Sequence, residues 1–65
     1  MGIRVNGHDV LFTRIANGIP IQIVSTDGKI IANKYSIDET FSISIPDSGI
    51  YVIRVGNQSC KVMIY

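Results

Sequence analysis

Pro46-Asp47-Ser48-Gly49-Ile50-Tyr51-Val52-Ile53-Arg54-Val55 is the stretch on which the fold of this chain turns. Pro46 lacks an N–H and fixes its own φ, which suits a strand end or an edge and not the middle of a ladder. Asp47 and Ser48 favour local side-chain to backbone bonds, the chemistry of a turn. Gly49 takes a positive φ without steric cost, so the chain can reverse and start a strand at Ile50 in a fixed register. From there side chains alternate between faces, with Tyr51, Ile53 and Val55 on one side and Ile50, Val52 and Arg54 on the other. Only Arg54 is plainly polar. The pattern predicts a central strand of a sandwich, covered on both faces.

Outward from this strand the chain divides into short segments punctuated by glycine. Ile3–Val5 is a strand ended by Asn6-Gly7, a dipeptide that favours a two-residue hairpin because both positions tolerate positive φ. His8 to Ile15 follows, with apolar mass at Val10, Leu11 and Phe12, and Ala16-Asn17-Gly18 is the next turn. In Ile19–Val24 the three isoleucines Ile19, Ile21 and Ile23 share a face. Pro20 marks that strand as an edge or as having just begun. Ser25-Thr26-Asp27-Gly28 predicts a tight hairpin into Lys29–Tyr35, which loses apolar character at Asn33 and Lys34 and should run out beyond the core. Ser36–Glu39 is a loop, with Ile37 as the residue to tuck inward. Thr40–Ile45 alternates cleanly, Phe41, Ile43 and Ile45 facing a core and Thr40, Ser42 and Ser44 facing water. After the central strand, Gly56-Asn57-Gln58-Ser59 is a turn and Lys61–Tyr65 a final strand, with Val62 and Ile64 opposite Lys61, Met63 and Tyr65.

About seven short strands, with turn signals every 8 to 12 residues or so and no helical period, predict an all-β fold. The expected architecture is a small immunoglobulin-like antiparallel β-sandwich, one domain over residues 1–65. A small open barrel of the oligonucleotide-binding type is the alternative, but it would lack the basic, aromatic face such binders use. At 65 residues a core is marginal, and the single cysteine, Cys60, permits no internal disulfide. Hydrophobic residues make up 46% and charged residues 17%, which leaves an apolar patch on the surface to be expected.

The net charge of +1, from six scattered basic and five acidic residues, provides no electrostatic footprint for nucleic acid. No apolar run approaches the ~20 residues of a membrane span, and Met1-Gly2 leads straight into the first strand without a signal peptide. No catalytic constellation is visible. His8 stands beside Asp9, but strand neighbours point to opposite faces, and no serine or cysteine is tied to the pair by a motif. Asp9, Asp27, Asp38, Glu39 and Asp47 show no calcium-loop spacing, and a lone cysteine offers no zinc pair. No catalytic residue, metal or cofactor is therefore expected. Tyr51 reads as a core or corner residue whose hydroxyl finds a backbone partner.

In combination, Ile23–Ile31 (Ile-Val-Ser-Thr-Asp-Gly-Lys-Ile-Ile), Ile43–Val55 and Lys61–Ile64 (Lys-Val-Met-Ile) resemble the C-terminal sorting domains of proteins exported by the type IX secretion system of Bacteroidetes. The resemblance spans roughly residues 19 to 65. It implies a seven-stranded immunoglobulin-like sandwich and a non-enzymatic module at the end of a longer secreted or surface protein that passes through the periplasm. It also implies recognition by the outer-membrane secretion machinery, carried by Gly49, Tyr51, Lys61, Val62 and Ile64. The alternative is a small accessory β-sandwich that binds another protein or is carbohydrate-associated, or that forms a homodimer through an exposed strand edge.

Overall fold

The computed structural model describes residues 2–65. Seven strands follow one another: β1 (Gly2–Asn6), β2 (Asp9–Thr13), β3 (Pro20–Ser25), β4 (Ile30–Tyr35), β5 (Phe41–Ser44), β6 (Gly49–Val55) and β7 (Gln58–Ile64). They form two antiparallel sheets, a three-stranded one in the order β1-β2-β5 and a four-stranded one in the order β4-β3-β6-β7. The all-β sandwich expected from the alternation is thus what the chain adopts. In the constant-type immunoglobulin arrangement the fourth strand joins the first, second and fifth. Here β4 stays beside β3, paired through the hairpin that connects them.

The core lies between the sheets. Val10 and Phe12 from β2, Ile21 and Ile23 from β3, Tyr51, Ile53 and Val55 from β6, and Ile64 from β7 are buried, with Ile15 and Ile45 closing its ends. Phe12 stacks on Phe41 of β5 with ring centroids 4.9 Å apart, and the Lys34 ammonium sits 5.1 Å from the Phe41 ring centre. The polar end of β4 therefore caps an aromatic pair at the rim of the core with an aliphatic stem and a cation.

β6 is an inner strand, between β3 and β7, as expected. Only one of its faces is covered, however. Tyr51, Ile53 and Val55 are buried, whereas Ile50 and Arg54 are exposed and Val52 half-buried. The molecule has two layers, so the second apolar face has no third layer to cover it. Pro20 begins β3 instead of placing it at an edge: β3 pairs with β4 on one side and β6 on the other.

The turns differ from expectation in register. The first hairpin loop is Gly7-His8, because Asn6 pairs with Asp9, and the last is Gly56-Asn57, because Val55 pairs with Gln58. Each has glycine at the first loop position, with φ of 62° at Gly7 and 61° at Gly56. That is the type II′ geometry whose twist suits a two-residue hairpin. β7 accordingly starts three residues before Lys61, the expected start. β2 stops at Thr13, two residues before the expected Ile15, since Arg14 enters a left-handed conformation at φ 58°. β5 likewise begins at Phe41, one residue after Thr40.

The loop between β4 and β5 reverses another expectation. Ile37 is 74% exposed, and Ser36 is buried in its place. The Ser36 hydroxyl donates to the Ala16 carbonyl and accepts the Ile19 N–H at 3.0 Å. Its backbone adds two more bonds: Ser36 N–H to the Ile19 carbonyl at 2.9 Å, and Gly18 N–H to the Ser36 carbonyl at 2.8 Å. These bonds fasten the β2–β3 crossover to the end of β4. They fix the phase of the chain so that the next side chain, Ile37, points to water.

Candidate interaction site

The five residues expected to carry recognition lie on one hairpin, β6–β7, and play different parts. Gly49 pairs with Ile64, Tyr51 with Val62, and Val52 with Lys61. Tyr51 is 4% exposed, and its hydroxyl donates to the Asp47 carbonyl at 2.8 Å, tying the β5–β6 turn to the start of β6. This is the corner arrangement of immunoglobulin-like sandwiches, in which a tyrosine at the start of the sixth strand bonds backwards to the chain. Ile64 is also buried. Tyr51 and Ile64 thus hold the hairpin from inside, Gly49 sets its start, Val62 is half-buried, and Lys61 is exposed.

The register shows what β7 offers to a partner. A two-residue loop closes on a pair that exchanges both of its hydrogen bonds, and bonded and non-bonded pairs then alternate. Val55/Gln58, Ile53/Cys60, Tyr51/Val62 and Gly49/Ile64 are therefore the bonded pairs. The Gly56 N–H reaches the Pro20 carbonyl at 2.9 Å, on the β3 side, as this alternation requires. The backbone groups of Ser59, Lys61 and Met63 consequently point away from β6, along the free edge of the sheet. Among the described residues β7 has a neighbouring strand on one side only, and the donors and acceptors along its other side belong to these three residues.

Beside that edge the sandwich is open. Gln58, Cys60, Val62 and Ile64 face inward, in register with Val55, Ile53, Tyr51 and Gly49. Their cover improves along the strand: Gln58 and Cys60 are exposed, Val62 half-buried and Ile64 buried. The three-stranded sheet ends at β1 and does not reach over the start of β7. The result is a cleft of about 200 Å³ lined by Ile3, Ile53, Val55, Gln58, Ser59 and Cys60. Cys60 and Ile3 are not among the residues to which the sequence resemblance points. The alternation of β7 puts Cys60 on the Val62 face, but nothing local shows that the opposite sheet is one strand narrower.

The polar residues weighed for chemistry engage separate partners. Asp9 Oδ1 accepts from the Ser44 hydroxyl at 2.8 Å. His8 Nδ1 lies 3.0 Å from the Ile45 carbonyl oxygen and its Nε2 3.0 Å from that of Tyr65. A neutral imidazole donates to one of these carbonyls at a time. The ring therefore bonds one of the two carbonyls, while the His8 carbonyl accepts the Ile45 N–H at 2.8 Å and holds the first hairpin loop to the end of β5. Asp27 accepts from the Ser25 hydroxyl, which holds its carboxyl below the ordinary aspartate value, with its backbone environment and Lys29 acting in the same direction. Among the described residues no group of three or more His, Cys, Asp or Glu side chains could hold a metal ion, and no helix is long and apolar enough to cross a membrane.

Comparison with known proteins finds no family model, no curated protein and no solved structure that matches this chain.

Proposed function

We propose that this domain is a non-enzymatic sorting-type module, the C-terminal part of a longer secreted protein, whose last strand is read by a protein of an outer-membrane export apparatus. The parent protein would then reach the cell surface or the medium by way of the periplasm. The observation that carries this reading is β7 itself. The hairpin on which the resemblance to type IX sorting domains is densest ends in a strand with a free edge. That strand directs the backbone groups of Ser59, Lys61 and Met63 outward and leaves Cys60 uncovered over a cleft. Such an edge accepts an extended segment by main-chain bonding, with side-chain pockets adding selectivity.

The test is an export assay. Residues 1–65 are fused to the C-terminus of a periplasm-targeted fluorescent protein in a host with a working type IX system. The expected result is fluorescence at the surface or in the medium with the domain, and in the periplasm without it. Retention of both fusions in the periplasm, with the domain folded, would refute the sorting role.

That outcome would leave a second reading, an accessory interaction module working by strand addition. The open seam between β1 and β7 favours it in its own right. The Asn6/Asp9 pair closes the first hairpin, so the same alternation turns the backbone of Ile3 and Val5 to the free edge of β1. An added strand could bond there and cover the cleft.

A further inference from the structure

The outer face of the four-stranded sheet is the one large surface that the β7 edge does not explain. Cross-strand register places Ile30, Val24, Val52 and Lys61 in one row across all four strands. Asn33, Gln22, Arg54 and Ser59 form the next row, and Ile50 pairs with Met63 on the other side of the first. Ile30, Val24, Val52, Ile50 and Met63 thus make a connected apolar strip about 14 Å wide, three strand spacings. Ile30 is 55% exposed, Met63 48% and Ile50 38%, while Val24 and Val52 are half-buried. The other sheet is built differently: its outward positions include Arg4, Asn6, Asp9, Thr13, Ser42 and Ser44, with Leu11 the one large apolar side chain.

The charge on the apolar face has one sign. Arg54 and Lys61 are the charged side chains at its strand positions. Among the described residues no side-chain carboxylate stands at a strand position of this face: Asp9 is bonded to Ser44 on the opposite sheet, Asp38 and Glu39 are in the β4–β5 loop, and Asp27 and Asp47 are in turns that border it at Ile30, beside Lys29.

We propose that this face docks an acidic, aliphatic segment of a partner protein. Apolar side chains would lie on the Ile30-Val24-Val52-Ile50-Met63 strip and carboxylates would meet Arg54 and Lys61. Charge selects this occupant over the alternatives. A second copy laid face to face would bring four cations together with no carboxylate at the strand positions between them, which opposes association. An anionic membrane surface is attracted by clusters of about four to eight basic residues, and this face has two. The inference does not rest on the export reading: it uses the side chains of the sheet face and not the backbone of the β7 edge, although Lys61 and Met63 belong to both, and it requires no particular compartment.

The probe is an acetylated synthetic peptide, Glu-Val-Glu-Leu-Glu-Val-Glu-Leu, titrated into the isotope-labelled chain and followed by backbone amide shifts. The counterpart with lysine in place of glutamate is the control. The expected shifts fall on β4, β3, β6 and β7 around Val24, Val52 and Lys61. They weaken with salt and are absent with the lysine peptide. Reversing both charges, Arg54→Glu with Lys61→Glu, should weaken binding about tenfold or more and transfer it to the lysine peptide. Arg54→Ala and Lys61→Ala, milder changes at exposed positions, should each weaken it less. Four results would overturn the proposal: shifts confined to the three-stranded sheet, affinity indifferent to charge reversal, binding of phosphatidylserine-containing vesicles without binding of the peptide, or concentration-dependent self-association through this face.

Discussion

The Tyr51 hydroxyl donates to the carbonyl oxygen of Asp47 across four residues, at 2.8 Å, with the ring itself buried in the core. The bond ties the Pro46–Ser48 turn back to the strand it leads into and so fixes the corner at which β6 begins. Tyr51→Phe keeps the ring and deletes the bond. It should cost about 1 kcal/mol, the net worth of one such hydrogen bond. In a domain this small that lowers the thermal midpoint by about 4–8 °C. An unchanged midpoint would mean the corner is held by packing alone.

Gly49 and Gly56 bound the same strand and both have positive φ, 151° and 61° respectively. An added Cβ would meet ordinary contacts in both places, the Tyr51 ring at 3.8 Å and an Ile19 methyl at 3.5 Å. Backbone conformation therefore decides the cost. Asparagine is among the residues found at the positive-φ positions of primed hairpin turns, so Gly56→Asn should cost less than a substitution at Gly49. Gly49→Ala forces a side-chain-bearing residue into a conformation open mainly to glycine and should cost about 1–3 kcal/mol. Equal denaturation midpoints for the two variants would show that the start of β6 is not the constrained end.

Ser36 provides four of the bonds that fasten the crossover between the sheets. Ser36→Ala removes the two made by its hydroxyl and leaves the Ile19 N–H and the Ala16 carbonyl in need of partners. The expected loss is about 1–3 kcal/mol, the cost of a buried group left unpaired. It is measured by urea unfolding, with an unchanged slope showing that the native state stays compact. A loss below a few tenths of a kcal/mol would mean that water replaces the hydroxyl.

Strand positions were legible in the sequence because alternation and glycine punctuation are local signals. Phe41, Ile43 and Ser42 sort to their faces from period alone, and Tyr51 reads as a corner from its place after Pro46–Gly49. What period-2 patterning does not encode is the number of layers or the partner of each strand. Ile50 and Val52 therefore look as buried as Ile53, and the cleft beside Cys60 depends on β1, some fifty residues away. Ser36 was illegible for a related reason: its burial is set by Ala16 and Ile19, and a serine before an isoleucine gives no local hint of which will turn inward. Within the candidate site, the exposure of Lys61 and the inward face of Val62 and Ile64 followed from the sequence. The outward backbone of Ser59, Lys61 and Met63 required the hairpin register.

Asp27 gives the acid limb of stability a small, signed contribution. The Ser25 hydroxyl lowers its folded-state pKa. The associated stability is thus present above the unfolded aspartate value and is lost as pH falls through the folded value. Asp27→Asn should flatten the midpoint-versus-pH curve below about pH 4 and leave its neutral-pH shape unchanged. A curve that remains equally steep in acid would place the dependence on other carboxylates.

Removing the last five residues would be a poor test of recognition by β7, because Ile64 is part of the core. Lys61→Pro is more direct. The Lys61 N–H points to the free edge, so proline removes a donor the fold does not use and leaves the β6–β7 bonds intact. The measurement is export of the fluorescent fusion bearing Lys61→Pro beside the unaltered one, with folding of both checked by amide dispersion. Recognition through the β7 edge predicts that the folded variant is held in the periplasm while the unaltered fusion leaves the cell. Equal export of the two would contradict it.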